Sequence, residues 1–241
     1  MKKQTILLMI IFFSMVGAAR GGLLDNLLNI SKGKTSSEKG LNNSTIVSGL
    51  KEALTVSTEK AVGSVSKEDG FYKNPGIKIT VPKKLQTVTD IMKKFGYEET
   101  INNFELSMNR AVEKAAPKAT SIFMSAIKQM SFEDAGKILK GGDTAATQYF
   151  SQKTTEDLYA LFKPVVTESM DKVGVAKSYK DMKSKYTSLA PFTKTDSLDL
   201  DDYVTRKGLD GVFYMMAEEE KKIRNNPVAR TTELLKTVFG K

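Results

Sequence analysis

The 241-residue chain contains neither cysteine nor histidine. Those two absences exclude Cys or His zinc sites, haem or iron–sulfur ligation through either side chain, Ser-His-Asp and Cys-His catalysis, and the Glu-x-x-His motif of di-iron bundles. Any metal would have to be a hard, oxygen-ligated ion, and no cofactor is expected. With no cysteine there is no disulfide and no lipoprotein attachment, so stability has to come from an apolar core. A long apolar run is missing as well, since the N-terminal stretch of about 14 apolar residues falls short of the roughly 20 needed to span a bilayer.

That N-terminal stretch has another reading. Lys2 and Lys3, the run Ile6 to Met15 broken only by Ser14, and Val16-Gly17-Ala18-Ala19 match the three regions of a secretory signal peptide over residues 1–19. The expectation is an exported protein, periplasmic or secreted. The formal net charge of +9 falls to about +7 without the two leader lysines. It favours anionic partners such as a lipid or another envelope component, with a protein partner also open. No specific nucleic-acid binding is expected. Gly141-Gly142 has neither Walker spacing nor a preceding strand, and the aromatic residues sit at helical spacings that suit a core.

Residues 20–43, rich in Gly, Ser, Asn and Lys, read as a flexible lead-in, and residues 44–241 as a single all-helical domain. The expected fold is all-α: an irregular multi-helix bundle around a long central, kinked helix, with one short extended segment near 77–81. A first helix runs from Ser44 to the turn signal Asp69-Gly70. Asn74-Pro75-Gly76 is a second turn signal. Beyond it Ile77, Ile79 and Val81 alternate with Lys78 and Thr80, as in a strand with no evident partner. Pro82 opens a helix that Gly96 stops.

The central stretch spans Tyr97 to Met130. At about 100° per residue, Ile101, Phe104, Met108, Ala111, Val112 and Ala115 share one face. Pro117 predicts a kink or a break. Ser131 with Asp134, and Thr154 with Asp157, resemble capping boxes and predict helix starts, leaving Ala145 to Phe150 as a short helix of its own. Leu189 to Leu198 reads as a connector. Asp199, Asp201 and Asp202 suit the positive end of the next helix, and Asn226-Pro227 marks the start of the last.

Glu105, Asn109 and Glu113, four residues apart, border the apolar face of the central helix and need partners there. With Arg110 beside them, they form a candidate polar network. Two readings stand. The oxygens could ligate Ca²⁺ or Mg²⁺, or the carboxylates could meet the guanidinium forks of Arg224 and Arg230 from the C-terminal helices. The second is favoured, because buried carboxylates are usually paired and arginine suits them.

Several short motifs occur in order: Asp69-Gly70-Phe71, Asn109-Arg110-Ala111 with Glu113 and Pro117, Asp134-Ala135, Ala145-Ala146-Thr147 followed by Tyr149-Phe150, Tyr203-Val204-Thr205, Leu209-Asp210-Gly211-Val212-Phe213, Glu220 with Ile223-Arg224, and Asn226-Pro227 with Arg230. Over roughly Ile46 to Lys241 they resemble a family of exported bacterial proteins known only as domain of unknown function 4197. The resemblance implies a helical envelope protein and supplies no activity. The functional expectation is therefore a non-catalytic binding or interaction protein for an anionic or amphipathic ligand. The alternative is a hydrolase built on carboxylates alone.

Overall fold

Apolar side chains recurring at helical spacing build the chain into eight α-helices and two 3₁₀ turns in the computed structural model, which describes residues 42–131, 135–190 and 198–240. The helices are α1 (Asn43–Val65), α2 (Gln86–Lys94), α3 (Glu98–Gln129), α4 (Ala135–Lys140), α5 (Ala145–Val173), α6 (Val175–Leu189), α7 (Leu200–Asn225) and α8 (Glu233–Phe239). The expected signal peptide at residues 1–19, most of the expected lead-in, Asp134 and the middle of the Leu189 to Leu198 connector lie outside the described residues.

α3 is the central element and packs against α1, α2, α5, α6 and α7. Every residue of its expected apolar face is buried, and Ala115, Ala116 and Ala119 let neighbouring helices approach closely. The helix runs through Pro117 without interruption. Further along, Phe123 of α3, Phe150 of α5 and Phe213 of α7 meet with ring centroids 5.4–6.3 Å apart, so three helices share one aromatic contact. Edge-on and tilted ring pairs of this kind add about 0.5–1.5 kcal/mol each beyond the area they bury. Phe104 and Tyr179 make the equivalent contact between α3 and α6, at 5.5 Å.

Helix ends follow local chemistry. The Asn42 side chain accepts from Thr45 N–H to start α1, and Asp199 accepts from Asp202 N–H to start α7, with Asp201 and Asp202 in its first turn. Gly174, at φ 76°, takes the left-handed conformation that separates α5 from α6. Gly208 of α7 lies so close to α3 that a Cβ there would come within 3.1 Å of Val112.

Two expectations need correction. Thr154 and Asp157 start no helix: α5 is continuous from Ala145, and Thr154 Oγ1 donates to Phe150 O, the back-bond of a threonine in a helix interior. Pro227 opens only the 3₁₀ turn Pro227–Ala229, and α8 begins six residues later with Thr232 as its cap. The extended segment at 77–81 has no partner strand among the described residues, as expected, and pairs with side chains instead.

Candidate functional site

The extended segment and the polar row of α3 satisfy each other. Asn109 Oδ1 accepts from Ile79 N–H at 2.9 Å, and its Nδ2 donates to Ile79 O and to Glu105 O, both at 2.8 Å. Glu105 Oε1 accepts from Val81 N–H at 3.0 Å, while its other oxygen pairs with Lys78 Nζ at 3.0 Å. One turn further along α3, Glu113 Oε1 accepts from Phe71 and Tyr72 N–H at 3.0 and 3.2 Å. Side chains four apart on a helix lie about 6 Å apart along its axis, and alternate strand residues about 6.6 Å apart. Glu105 and Asn109 therefore serve as an antiparallel partner strand made of side chains, while Glu113 holds the preceding turn at Phe71 and Tyr72.

Arg110 completes the network. Its guanidinium bonds Glu113 Oε2 through Nη1, and Asp69 at 2.6 Å and Glu68 at 3.3 Å through Nη2. Asp69 itself is held below the usual aspartate range, first by the hydrogen bond from Lys73 and then by that from Arg110. Tyr203 reaches over the segment from α7 and donates its hydroxyl to Thr80 O at 3.0 Å; burial pushes its phenol up. Phe71 is fully buried and lies on Gly211 of α7.

The link to Arg224 and Arg230 does not exist in this form. Arg224 lies four residues from Glu220 on the same helix and pairs with it at 2.8 Å, while its terminal nitrogens donate to Ile138 and Leu139 O at 3.2 and 3.3 Å. Arg230 donates to Ile223 and Arg224 O and so closes the end of α7. Glu105 and Glu113 had no need of these arginines, because backbone N–H groups, Lys78 and Arg110 stand closer. Nor do the oxygens of the row gather around an open ion site: each functional group faces a donor.

Glu220 is the residue that sequence reasoning passed over. Fully buried, it accepts from Ala146 N–H at 3.0 Å and from both Thr147 N–H and Oγ1 at 2.7 Å. It thus fills the N-terminus of α5, which has no side-chain cap of its own. Nothing in the run Glu218-Glu219-Glu220 separates the buried acid from its exposed-looking neighbours except its place on the apolar side of α7, four residues after Met216.

Another groove lies away from these contacts. A groove of about 650 Å³ separates the C-terminal part of α3 from the first half of α5. Ile122, Ala126 and Met130 form one wall; Phe150, Leu158 and Leu161 form the other, with Lys153 and Asp157 among the polar lining residues. Leu161 is 57% exposed, an apolar side chain left open to water.

Residues 40–240 match a protein family described as a protein of unknown function, DUF4197. The chain belongs to that family. No curated protein and no solved structure matches it. In this DUF4197 chain, the motif residues Asp69, Phe71, Asn109, Arg110, Glu113, Thr147, Tyr203, Gly211, Glu220 and Arg224 all take part in the internal contacts just described. Two further motif residues, Tyr149 and Phe150, line the α3–α5 groove.

Proposed function

We propose that this DUF4197 protein is a non-catalytic binding protein of the cell envelope, and that the α3–α5 groove holds an amphipathic ligand with an acyl-type body. The observation that carries the reading is the groove itself, an apolar channel of about 650 Å³ with Leu161 exposed in its wall. Its volume is in the range of small-molecule sites, roughly 300–1,000 Å³, and Ser125, Gln129 and Thr154 set polar groups beside its apolar walls. Lys153 supplies a positive charge for an acidic head, in a chain whose net charge already favours anions. Met130 adds an adaptable apolar surface.

The carboxylate hydrolase is the weaker reading. Acid–base work on a glycosidic or similar bond needs two carboxyl groups about 5–10 Å apart across a shared space. Glu105, Glu113 and Glu220 are committed to backbone N–H groups and cations, and Asp157 is the one carboxylate among the described residues lining the groove.

Native mass spectrometry and thermal melting with long-chain fatty acids and lysophospholipids test the proposal. The expected result is a one-to-one complex whose Tm rises with ligand concentration. Leu161→Asp, at an exposed position, should weaken it at least tenfold. Absence of both a bound mass and a thermal shift would overturn the reading, and turnover lost in Asp157→Asn would replace it with the hydrolase.

A further inference from the structure

A second surface, away from the groove, combines an exposed ring with unpaired positive charge. Phe95 is 62% exposed at the end of α2. Its position follows from the helix stop: Phe95 and Tyr97 N–H both bond to Met92 O, and Gly96 at φ 78° turns the chain between them. Tyr97 is thereby drawn in toward the bundle, and the ring of Phe95 is left in water.

Lysines stand at both ends of α2 and along the neighbouring α6. Lys83 and Lys84 precede α2, Lys93 and Lys94 occupy its last turn, and α6, which packs against α2, carries Lys177, Lys180, Lys183 and Lys185. All eight are exposed. Lys185 ties the end of α6 to the same corner, donating to Thr100 at 2.9 Å and lying 5.3 Å from the Tyr97 ring centre. The other seven have no ion pair among the described residues. Elsewhere on the molecule Lys60, Lys73, Lys78, Lys118 and Lys172 each meet a carboxylate. The acidic groups nearby in sequence are Asp90, Asp181, Glu98 and Glu99. Asp90 accepts from Gln86, and the two glutamates occupy the first turn of α3, where the helix dipole favours them. Eight cations thus stand against four carboxylates.

We propose that this α2–α6 corner docks onto an anionic lipid bilayer, with Phe95 entering the headgroup–acyl boundary and the lysines of α2 and α6 lying among the headgroups. Interfacial binding needs both an apolar insertion and electrostatic attraction, since either alone is weak and reversible. Phe95 supplies the first and the uncompensated lysines the second. Lysine suits a headgroup layer, being a compact, hydrated point charge on a long stem. A single-stranded nucleic acid would call for successive aromatic platforms, and this corner exposes one. The proposal is independent of what fills the α3–α5 groove.

The chain contains no tryptophan, so Phe95→Trp places a single indole at the point of insertion. Added vesicles of phosphatidylglycerol and phosphatidylcholine should shift its emission to the blue. Pure phosphatidylcholine should not, and high salt, which shortens the screening length to about 3 Å at 1 M, should reverse the shift. Tyr214→Trp, at another exposed aromatic on α7, should stay unshifted in the same vesicles. Combining Lys93→Gln and Lys94→Gln with Phe95→Trp should weaken vesicle binding about 25-fold, at roughly fivefold per lysine. The proposal is overturned by no shift with anionic vesicles, by an equal response to neutral ones, by equal shifts at positions 95 and 214, or by a response to single-stranded DNA alone.

Discussion

Asn109 holds both backbone groups of Ile79: its carbonyl oxygen accepts from the N–H at 2.9 Å, and its amide donates to the C=O at 2.8 Å. Two strands make the same pair of bonds with two backbones; here one helical side chain replaces a strand. Asn109→Leu removes both partners and strands a buried donor and acceptor. The expected loss is about 2–6 kcal/mol, at about 1–3 kcal/mol for each unsatisfied group. Urea unfolding measures it, with the exposed Asn103→Leu as reference. Equal midpoints for the two variants would show that the pairing contributes nothing.

Arg224 and Glu220 lock three helices through one ion pair, since the carboxylate caps α5 and the guanidinium closes the end of α4. Breaking a buried pair from one side typically costs about 3–5 kcal/mol. Glu220→Leu should reach that range, because it leaves Arg224 and three donors without their acceptor. Arg224→Met should cost less, because Glu220 keeps its three bonds to Ala146 and Thr147. Hydrogen exchange separates the two further: Arg224→Met should speed exchange in α4 before it affects α7.

Asp69 gives stability a pH dependence with a definite sign. Its carboxyl is held low in the folded state by Lys73 and then Arg110, so folding favours the ionised form. The contribution is fully present above the ordinary aspartate range and is lost as pH falls through that range toward the lowered folded value. Asp202 acts in the same direction, held low first by the Tyr159 hydroxyl and then by Arg206. Asp69→Asn should reduce stability at neutral pH and make the acid limb of the stability curve shallower. An acid limb parallel to that of the unmodified protein would remove Asp69 from the account.

Gly211 is where α7 accepts Phe71. A Cβ there would lie 2.4 Å from the ring, closer than packed atoms come. Gly211→Ala should therefore destabilise by about 1–3 kcal/mol, the usual cost of overpacking, even though alanine favours the helix. Adding Phe71→Leu should recover part of the loss. If the alanine variant is as stable as the parent, the contact is looser than the geometry requires.

The periodic parts of the chain were legible without coordinates. The apolar face of α3, the stop of α2 at Gly96 and the acidic start of α7 follow from spacing and capping, which act over one or two turns. Thr154 shows where local signals mislead: its hydroxyl suits a cap or a back-bond equally, and burial of Phe150 and Leu158 on one continuous face chose the helix interior.

The polar row shows the same division in the site. Its need for partners was readable from position alone, and so was the absence of a partner strand for residues 77–81. That each would satisfy the other was not, because Asn109 lies 30 residues from Ile79 and Glu113 lies 42 from Phe71. Sequence by itself determined which groups cannot remain unpaired in the interior: a carboxylate or amide bordering a core, and the N–H groups of an extended segment. Tertiary structure decided which of the available donors and acceptors meet, because that depends on the directions in which distant segments return to α3, and those are set by packing across the whole bundle.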